Sequence, residues 1–183
     1  AMTGEIWLNA FHLSHQRKLE FYKLCTLLKP KLLRGYFSAV QDFAYFLRDE
    51  GLRLPPLQAV VLCAETVHEV VRAEIEDIYR AKTYNTYGGR ELSLIAAECP
   101  AGGMHEISEN NYVEYERTFL RDLEGASNLV ITNLNNQVMP FIRYRIGDLG
   151  VQSEAHSCPC GRGLPLMKGI IGRSTEIFQF PGG

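Results

Sequence analysis

The sequence predicts an α/β protein in which an α/β layer is followed by a β-rich subdomain shaped as a distorted barrel. Three features carry this expectation. Helix-like and strand-like apolar spacings alternate through the first half of the chain. The run Leu57-Gln58-Ala59-Val60-Val61-Leu62-Cys63 is nearly all apolar, as a strand covered on both faces requires. From about residue 103 the texture changes to short β-rich pieces separated by Gly, Asn and Pro.

A first helix is expected over 14–28. Ser14 is placed to cap it, and Leu19, Tyr22, Leu24, Leu27 and Leu28 recur at helical spacing before Lys29-Pro30 ends it. Leu32 and Leu33 lead into a short strand and a turn at Gly35-Tyr36. A second helix over 38–50 carries Val40, Phe43, Ala44 and Leu47, and Gly51 closes it. The strand at 57–63 is followed by a helix over 65–79 and a strand over 82–87 that ends in Gly88-Gly89. Strand, helix, strand in this order implies a crossover within an α/β layer. Later strands are expected at 112–115, 129–132, 142–144 and 149–152.

The 183 residues suit one domain or one large piece of a larger one. Hydrophobic residues at 46% and charged residues at 22% are globular values, which excludes disorder. A net charge of −2 leaves no basic field for nucleic acid or an anionic membrane. No apolar run approaches the ~20 residues of a membrane span. The opening Ala1-Met2-Thr3-Gly4 does not resemble a signal peptide and suits an internal fragment. Five Cys, an odd number, point to the reducing cytoplasm and to metal ligation or burial rather than disulfides.

Three clusters carry chemistry. In Tyr84-Asn85-Thr86-Tyr87-Gly88-Gly89-Arg90-Glu91, aromatics, glycines and a carboxylate could admit a nucleotide and Mg²⁺, or form an ordinary turn with a solvated Glu. In Arg143-Tyr144-Arg145-Ile146-Gly147-Asp148-Leu149, Asp148 could accept both hydroxyls of a ribose, or form a surface pair with Arg. Cys158-Pro159-Cys160, with Cys99 and His105 upstream, could complete a four-ligand structural zinc site. His156 competes as the imidazole, and buried free thiols are the alternative. Cys25 and Cys63 fall in apolar stretches and read as packing residues.

In this order the segments resemble the adenylate-forming superfamily, and within it the phenylacetate–CoA ligase, coenzyme F390 synthetase and CapK-like group. Leu32-Leu33-Arg34-Gly35-Tyr36 is similar to that group's Gly-Tyr-Pro turn, with Phe37 in place of Pro. Ala59 to Glu65 resembles the strand ending in Gly-Ala-Glu. Tyr87-Gly88-Gly89-Arg90-Glu91 resembles Tyr-Gly-x-Thr-Glu, with Arg90 in place of Thr. Arg143 to Asp148 resembles Arg-Tyr-Arg-x-x-Asp. Gly172-Arg173-Ser174-Thr175-Glu176 resembles the Gly-Arg-x-x-Asp hinge, whose Asp or Lys falls near Thr175.

The resemblance implies part of the large domain of an adenylate-forming enzyme. Residues 1–98 would be the α/β subdomain of the AMP-binding core, 99–170 a β-rich subdomain with the zinc site, and 171–183 the start of a hinge. It implies ATP or AMP held by Cys63, Ala64, Glu65, Tyr87, Gly88, Arg90, Asp148 and Arg173, with Arg90 in line for the phosphate. Glu91 would be the catalytic carboxylate holding Mg²⁺, and Cys99, His105, Cys158 and Cys160 the ligands of a structural Zn²⁺. The implied reaction joins a small carboxylate to AMP and passes it to a thiol such as CoA, in the cytoplasm, with self-association possible. The family's phosphate loop and its lid lysine have no counterpart in this sequence, so the chain alone is expected to lack activity. The alternative is a non-catalytic, zinc-stabilised nucleotide-binding module.

Overall fold

The first helix, α1 (His15–Leu28), begins at the expected cap: Ser14 is extended, and its hydroxyl accepts a bond from the Arg17 N–H. It ends where Lys29 takes a left-handed conformation and its N–H reaches the Cys25 carbonyl at 2.8 Å. The face it buries is Phe21 and Cys25, with Leu19 and Tyr22 partly covered. Leu24, Leu27 and Leu28, which share the helical spacing, are exposed. In this computed structural model the described residues are 4–118, 123 and 125–177; the expectations for the chain's opening at 1–3 and its closing at 178–183 lie outside them.

The chain divides into two units, Ala1–Asn85 and Thr86–Gly183. In the first, β1 (Leu32–Tyr36) and β2 (Ala59–Cys63) pair in parallel, with Tyr36 opposite Cys63. Helix α2 (Phe37–Asp49) starts on the residue after β1, with no intervening turn. Its apolar residues recur every three or four positions and bury Phe37, Val40, Phe43, Ala44, Phe46 and Leu47. Gly51, at a φ of +64°, follows the helix end. Phe21, Val60, Leu62, Ile75 and Tyr79 complete this core. Burying each large side chain stabilises the fold by about 1.5–3 kcal/mol.

Helix α3 (Glu69–Tyr79) starts four residues later than expected, because Glu65 is drawn away from the helix. The Glu65 carboxylate accepts bonds from the Ser38 N–H at 2.6 Å and the Ser38 hydroxyl at 2.8 Å, capping α2 instead. Strand β3 (Thr83–Gly89) begins beside β2, where the Val60 N–H meets the Lys82 carbonyl. Buried Thr83 ties it to α3 by accepting from Arg72 and donating to Glu76.

In the second unit the strands are β4 (Ser93–Glu98), β5 (Met104–Glu106), β6 (Asn111–Arg117), β7 (Ala126–Asn133), β8 (Tyr144–Gln152) and β9 (Leu166–Arg173). Their order across the sheet is β3-β4-β5-β9-β8-β7-β6, and the pairs with a resolved register in this unit are antiparallel. The expected barrel is an open sheet. No ladder joins β6 back to β4 among the described residues; the Asn111 side-chain amide donates to the carbonyls of Leu92 and Leu94 where such a ladder would form. Leu92, Ile95, Val113, Leu129, Ile131, Ile146 and Met167 pack together in one buried cluster.

The pieces expected at 142–144 and 149–152 are one strand, β8. Gly147 adopts a φ of +86° within it, and pairing continues on either side. Ile142 lies outside the strand and is exposed. No described helix is long and apolar enough to cross a membrane.

Candidate functional site

The candidate metal-ligand cluster is assembled by two turns of the same design. Cys99-Pro100-Ala101-Gly102 follows β4, and Cys158-Pro159-Cys160-Gly161 lies in the β8–β9 loop. In each, the Gly N–H returns to the first Cys carbonyl, at 2.9 and 3.0 Å, and the Gly takes a φ of +80°. Pro presets the turn and Gly completes it. His105 is contributed by β5, which pairs with both β4 and β9.

The donor atoms of Cys99, His105, Cys158 and Cys160 all lie within 4.8 Å of one another. The Cys99 and Cys158 sulfurs are 3.6 Å apart, and Cys160 Sγ is 3.2 Å from His105 Nε2. A tetrahedral zinc with Zn–S near 2.3 Å sets sulfurs about 3.8 Å apart, close to the Cys99–Cys158 spacing. His105 Nδ1 lies 3.2 Å from the Leu164 carbonyl, which leaves the Nε2 lone pair facing the thiols. His156, the competing imidazole, is exposed and outside the cluster.

The Cys160 thiol is pulled down to about 6, first by the Arg162 backbone N–H and then by its side chain, against the effect of burial. A thiolate is therefore accessible before any cation arrives. Gly103 is required here: a Cβ on it would stand 2.8 Å from Cys158 Sγ. Arg162, Gly103 and the Leu164 carbonyl escaped the sequence reading, although the repeated Cys-Pro-x-Gly pattern was there to find.

The second cluster centres on Asp148, which is 8% exposed. Tyr87 donates its phenol to Asp148 Oδ2 at 2.7 Å, and Arg173 Nε lies 3.1 Å from Oδ1. Arg173 also donates to the Ile146 carbonyl at 2.8 Å, and Ser174 to the Gly147 carbonyl at 3.0 Å. Burial, then the bond to Asp148, pushes the Tyr87 phenol far up, so it stays protonated and donates. Arg143 and Arg145, the expected neighbours of Asp148, pair instead with Glu114 and Glu116 on β6.

Gly88 and Gly89 end β3 rather than forming the turn; the turn is Arg90-Glu91-Leu92. A Cβ on Gly88 would fall 2.2 Å from the Ser93 carbonyl oxygen. Arg90 and Glu91 are exposed at the tip, with Glu91 Oε2 3.0 Å from a Cβ position on Gly89. In the first unit, the half-buried Cys63 thiol donates to the Gly35 carbonyl at 3.2 Å, Ala64 holds a φ of +66°, and Glu65 caps α2.

No family model matches the chain. It is similar to Protein CapK of Staphylococcus aureus, 22% identical over 179 residues that cover 96% of this chain and 38% of CapK. It is 28% identical over 167 residues to phenylacetate-coenzyme A ligase of Thermus thermophilus, covering 84% of this chain and 36% of that protein. Among solved structures, 2-hydroxyisobutyryl-CoA ligase in the postadenylation state with 2-HIB-AMP has a TM-score of 0.77 at 27% identity, over 91% of this chain and 37% of that one. These matches support part of an adenylate-forming superfamily member. The adenylate-forming fold extends to an anthranilate CoA ligase, with a TM-score of 0.66 at 11% identity. The chain spans less than two fifths of the curated relatives it matches.

Proposed function

We propose that the protein containing this chain activates a small carboxylate with ATP, giving an acyl-adenylate and pyrophosphate, and transfers the acyl group to a thiol such as CoA. The reading is supported most by one observation: Tyr87, Asp148 and Arg173, from three separate strands, meet at one buried carboxylate. The solved relatives matched here are described with 2-HIB-AMP and CoA, which makes that chemistry the natural assignment.

In this reading Asp148 accepts the ribose hydroxyls, Tyr87 lies by the adenine, and the Cys63-Ala64-Glu65 turn, Gly88, Arg90 and Arg173 complete the nucleotide set. Glu91, a solvent-facing carboxylate on the hairpin tip, holds Mg²⁺, which offsets phosphate charge. Cys99, His105, Cys158 and Cys160 hold a structural Zn²⁺; four protein ligands leave it no open position, so it shapes the fold rather than the chemistry. Residues 1–98 supply the nucleotide core, 99–170 carry the zinc, and 171–183 begin a hinge. The protein works in the cytoplasm and is not a nucleic-acid binder.

The test is ATP–pyrophosphate exchange by the full-length protein with a panel of aryl and short-chain carboxylates. Exchange that depends on one carboxylate class is expected. Nucleotide binding without exchange on any acid would favour a binding module and end the ligase reading.

A further inference from the structure

Cys99 and Cys158 enter the ligand cluster from two different loops, and their sulfurs stand 3.6 Å apart. A disulfide sets its sulfurs at about 2.05 Å, so about 1.5 Å of side-chain movement would join them. Gly103 leaves the space beside Cys158 Sγ clear; a Cβ there would stand 2.8 Å from that sulfur. The two thiols differ in access. Cys99 is 4% exposed, whereas Cys158 is partly exposed in a loop whose residues 154–157 and 161–163 are exposed. An oxidant therefore meets Cys158 first, with Cys99 behind it.

Cys160 is the competing partner and is worse placed. Only Pro159 separates it from Cys158, and the turn they share is fixed by the Gly161 N–H on the Cys158 carbonyl at 3.0 Å. Proline locks its own φ at about −65°, so closing a ring through it would strain this turn. Cys160 Sγ instead lies 3.2 Å from His105 Nε2.

We infer that Cys99 and Cys158 are a reversible oxidation site: a hydroperoxide links them as a disulfide, and the cluster gives up its cation. The Cys158 thiolate first attacks the peroxide. An S–O bond forms and the O–O bond breaks, leaving a sulfenic acid and, with a proton from solvent, water. The Cys99 thiolate then attacks that sulfur. The S–S bond forms, the S–O bond breaks, and the departing hydroxide takes up a second proton. Two electrons pass from the sulfurs to hydrogen peroxide, which ends as two waters. Of the four ligands only Cys160 and His105 remain, too few to hold zinc. The disulfide keeps the two Cys-Pro-x-Gly turns joined in the metal's place. The loss of the cation rests on the zinc reading given above; the disulfide does not.

The experiment treats full-length protein from zinc-supplemented cells with hydrogen peroxide. Released zinc is read with a chromophoric chelator, and linked cysteines are mapped by mass spectrometry of alkylated peptides. A Cys99–Cys158 link is expected, with one zinc released per link, and a dithiol reductant with added zinc should reverse both. Cys160→Ser spares the pair and should still form the link. Oxidised metal-free protein should melt above reduced metal-free protein, because the turns stay joined. A Cys158–Cys160 link, or sulfinic and sulfonic acids in place of any link, overturns the proposal. Zinc released without the Cys99–Cys158 link, or the link formed with zinc retained, overturns it as well. Protein isolated without zinc that still forms the Cys99–Cys158 link would support the oxidation site while removing the zinc reading.

Discussion

The Nδ1 atom of His105 lies 3.2 Å from the Leu164 carbonyl oxygen, and this bond decides which nitrogen of the ring faces the thiols. A carbonyl only accepts, so Nδ1 carries the hydrogen and Nε2 is left with a lone pair. We expect one zinc per chain by elemental analysis. Chelation, or His105→Asn, should remove it and lower the melting temperature of the protein, with a loss of several kcal/mol. Metal-free protein with an unchanged melting curve would contradict the assignment.

Gly103→Ala should damage the same centre without touching a ligand. The added methyl would sit 2.8 Å from Cys158 Sγ and 3.4 Å from His105 Nε2. Zinc affinity, measured by competition with a chromophoric chelator, should fall by about 10–100-fold, the range seen when the groups that orient ligands are altered.

Gly88→Ala tests the hairpin that carries Glu91. Its Cβ would meet backbone, the Ser93 carbonyl oxygen at 2.2 Å, and backbone cannot swing aside as a side chain can. Denaturant unfolding should show a loss of about 1–3 kcal/mol or more. Wild-type stability in this variant would mean that β3 and β4 pair differently.

The acid limb of stability should depend on Glu76. Burial pushes its carboxyl up, but the Lys82 ammonium and the Thr83 N–H and hydroxyl outweigh that and bring it below its ordinary 4.5. The unfolded chain then binds a proton before the folded one does. The contribution is fully present above about pH 4.5 and is lost as pH falls through the lower folded value. Glu76→Gln should lower stability at neutral pH and flatten this part of the profile in urea melts recorded from pH 3 to 7.

Leu24, Leu27, Leu28 and Leu32 are all exposed, and β1, on which Leu32 lies, pairs only with β2 among the described residues. An apolar surface beside a free strand edge promotes pairing between chains. The 183-residue chain should therefore self-associate in sedimentation velocity at micromolar concentration, and Leu27→Lys should shift it toward monomer. A wild-type chain that sediments as a monomer at every concentration would refute this.

Local signals were readable in the sequence where local chemistry decides the outcome. Ser14 as a cap, the three- and four-residue spacing of α2 and the apolar run at β2 all act within a few residues. The spacing of α1 named a helix but not its buried side, because Leu24, Leu27 and Leu28 alternate with Phe21 and Cys25 and only the rest of the unit chooses between them. Strands β5 and β9 are too short or too Gly-rich to show a period of two. That Cys99, His105, Cys158 and Cys160 come together was legible from their types and grouping. The partner of Asp148 was not: two arginines stand within five residues of it, yet the one it pairs with is Arg173, set opposite by strand register.

Cys99 and Cys158 stand 59 residues apart in the chain, and β5, β6, β7 and β8 all lie between them. A cation bridging the two Cys-Pro-x-Gly turns would act as a covalent staple does, shrinking the conformational freedom of the unfolded chain by on the order of 4 kcal/mol for a loop of this length. It would also impose an order on biosynthesis. During translation the last thiolate, Cys160, emerges only after every strand inside that loop, so the metal can lock the sheet only once those strands have had the chance to find their register. Cells starved of the metal would then accumulate chains with strands formed but the loop unfastened, a population open to proteolysis rather than a slower version of the same protein.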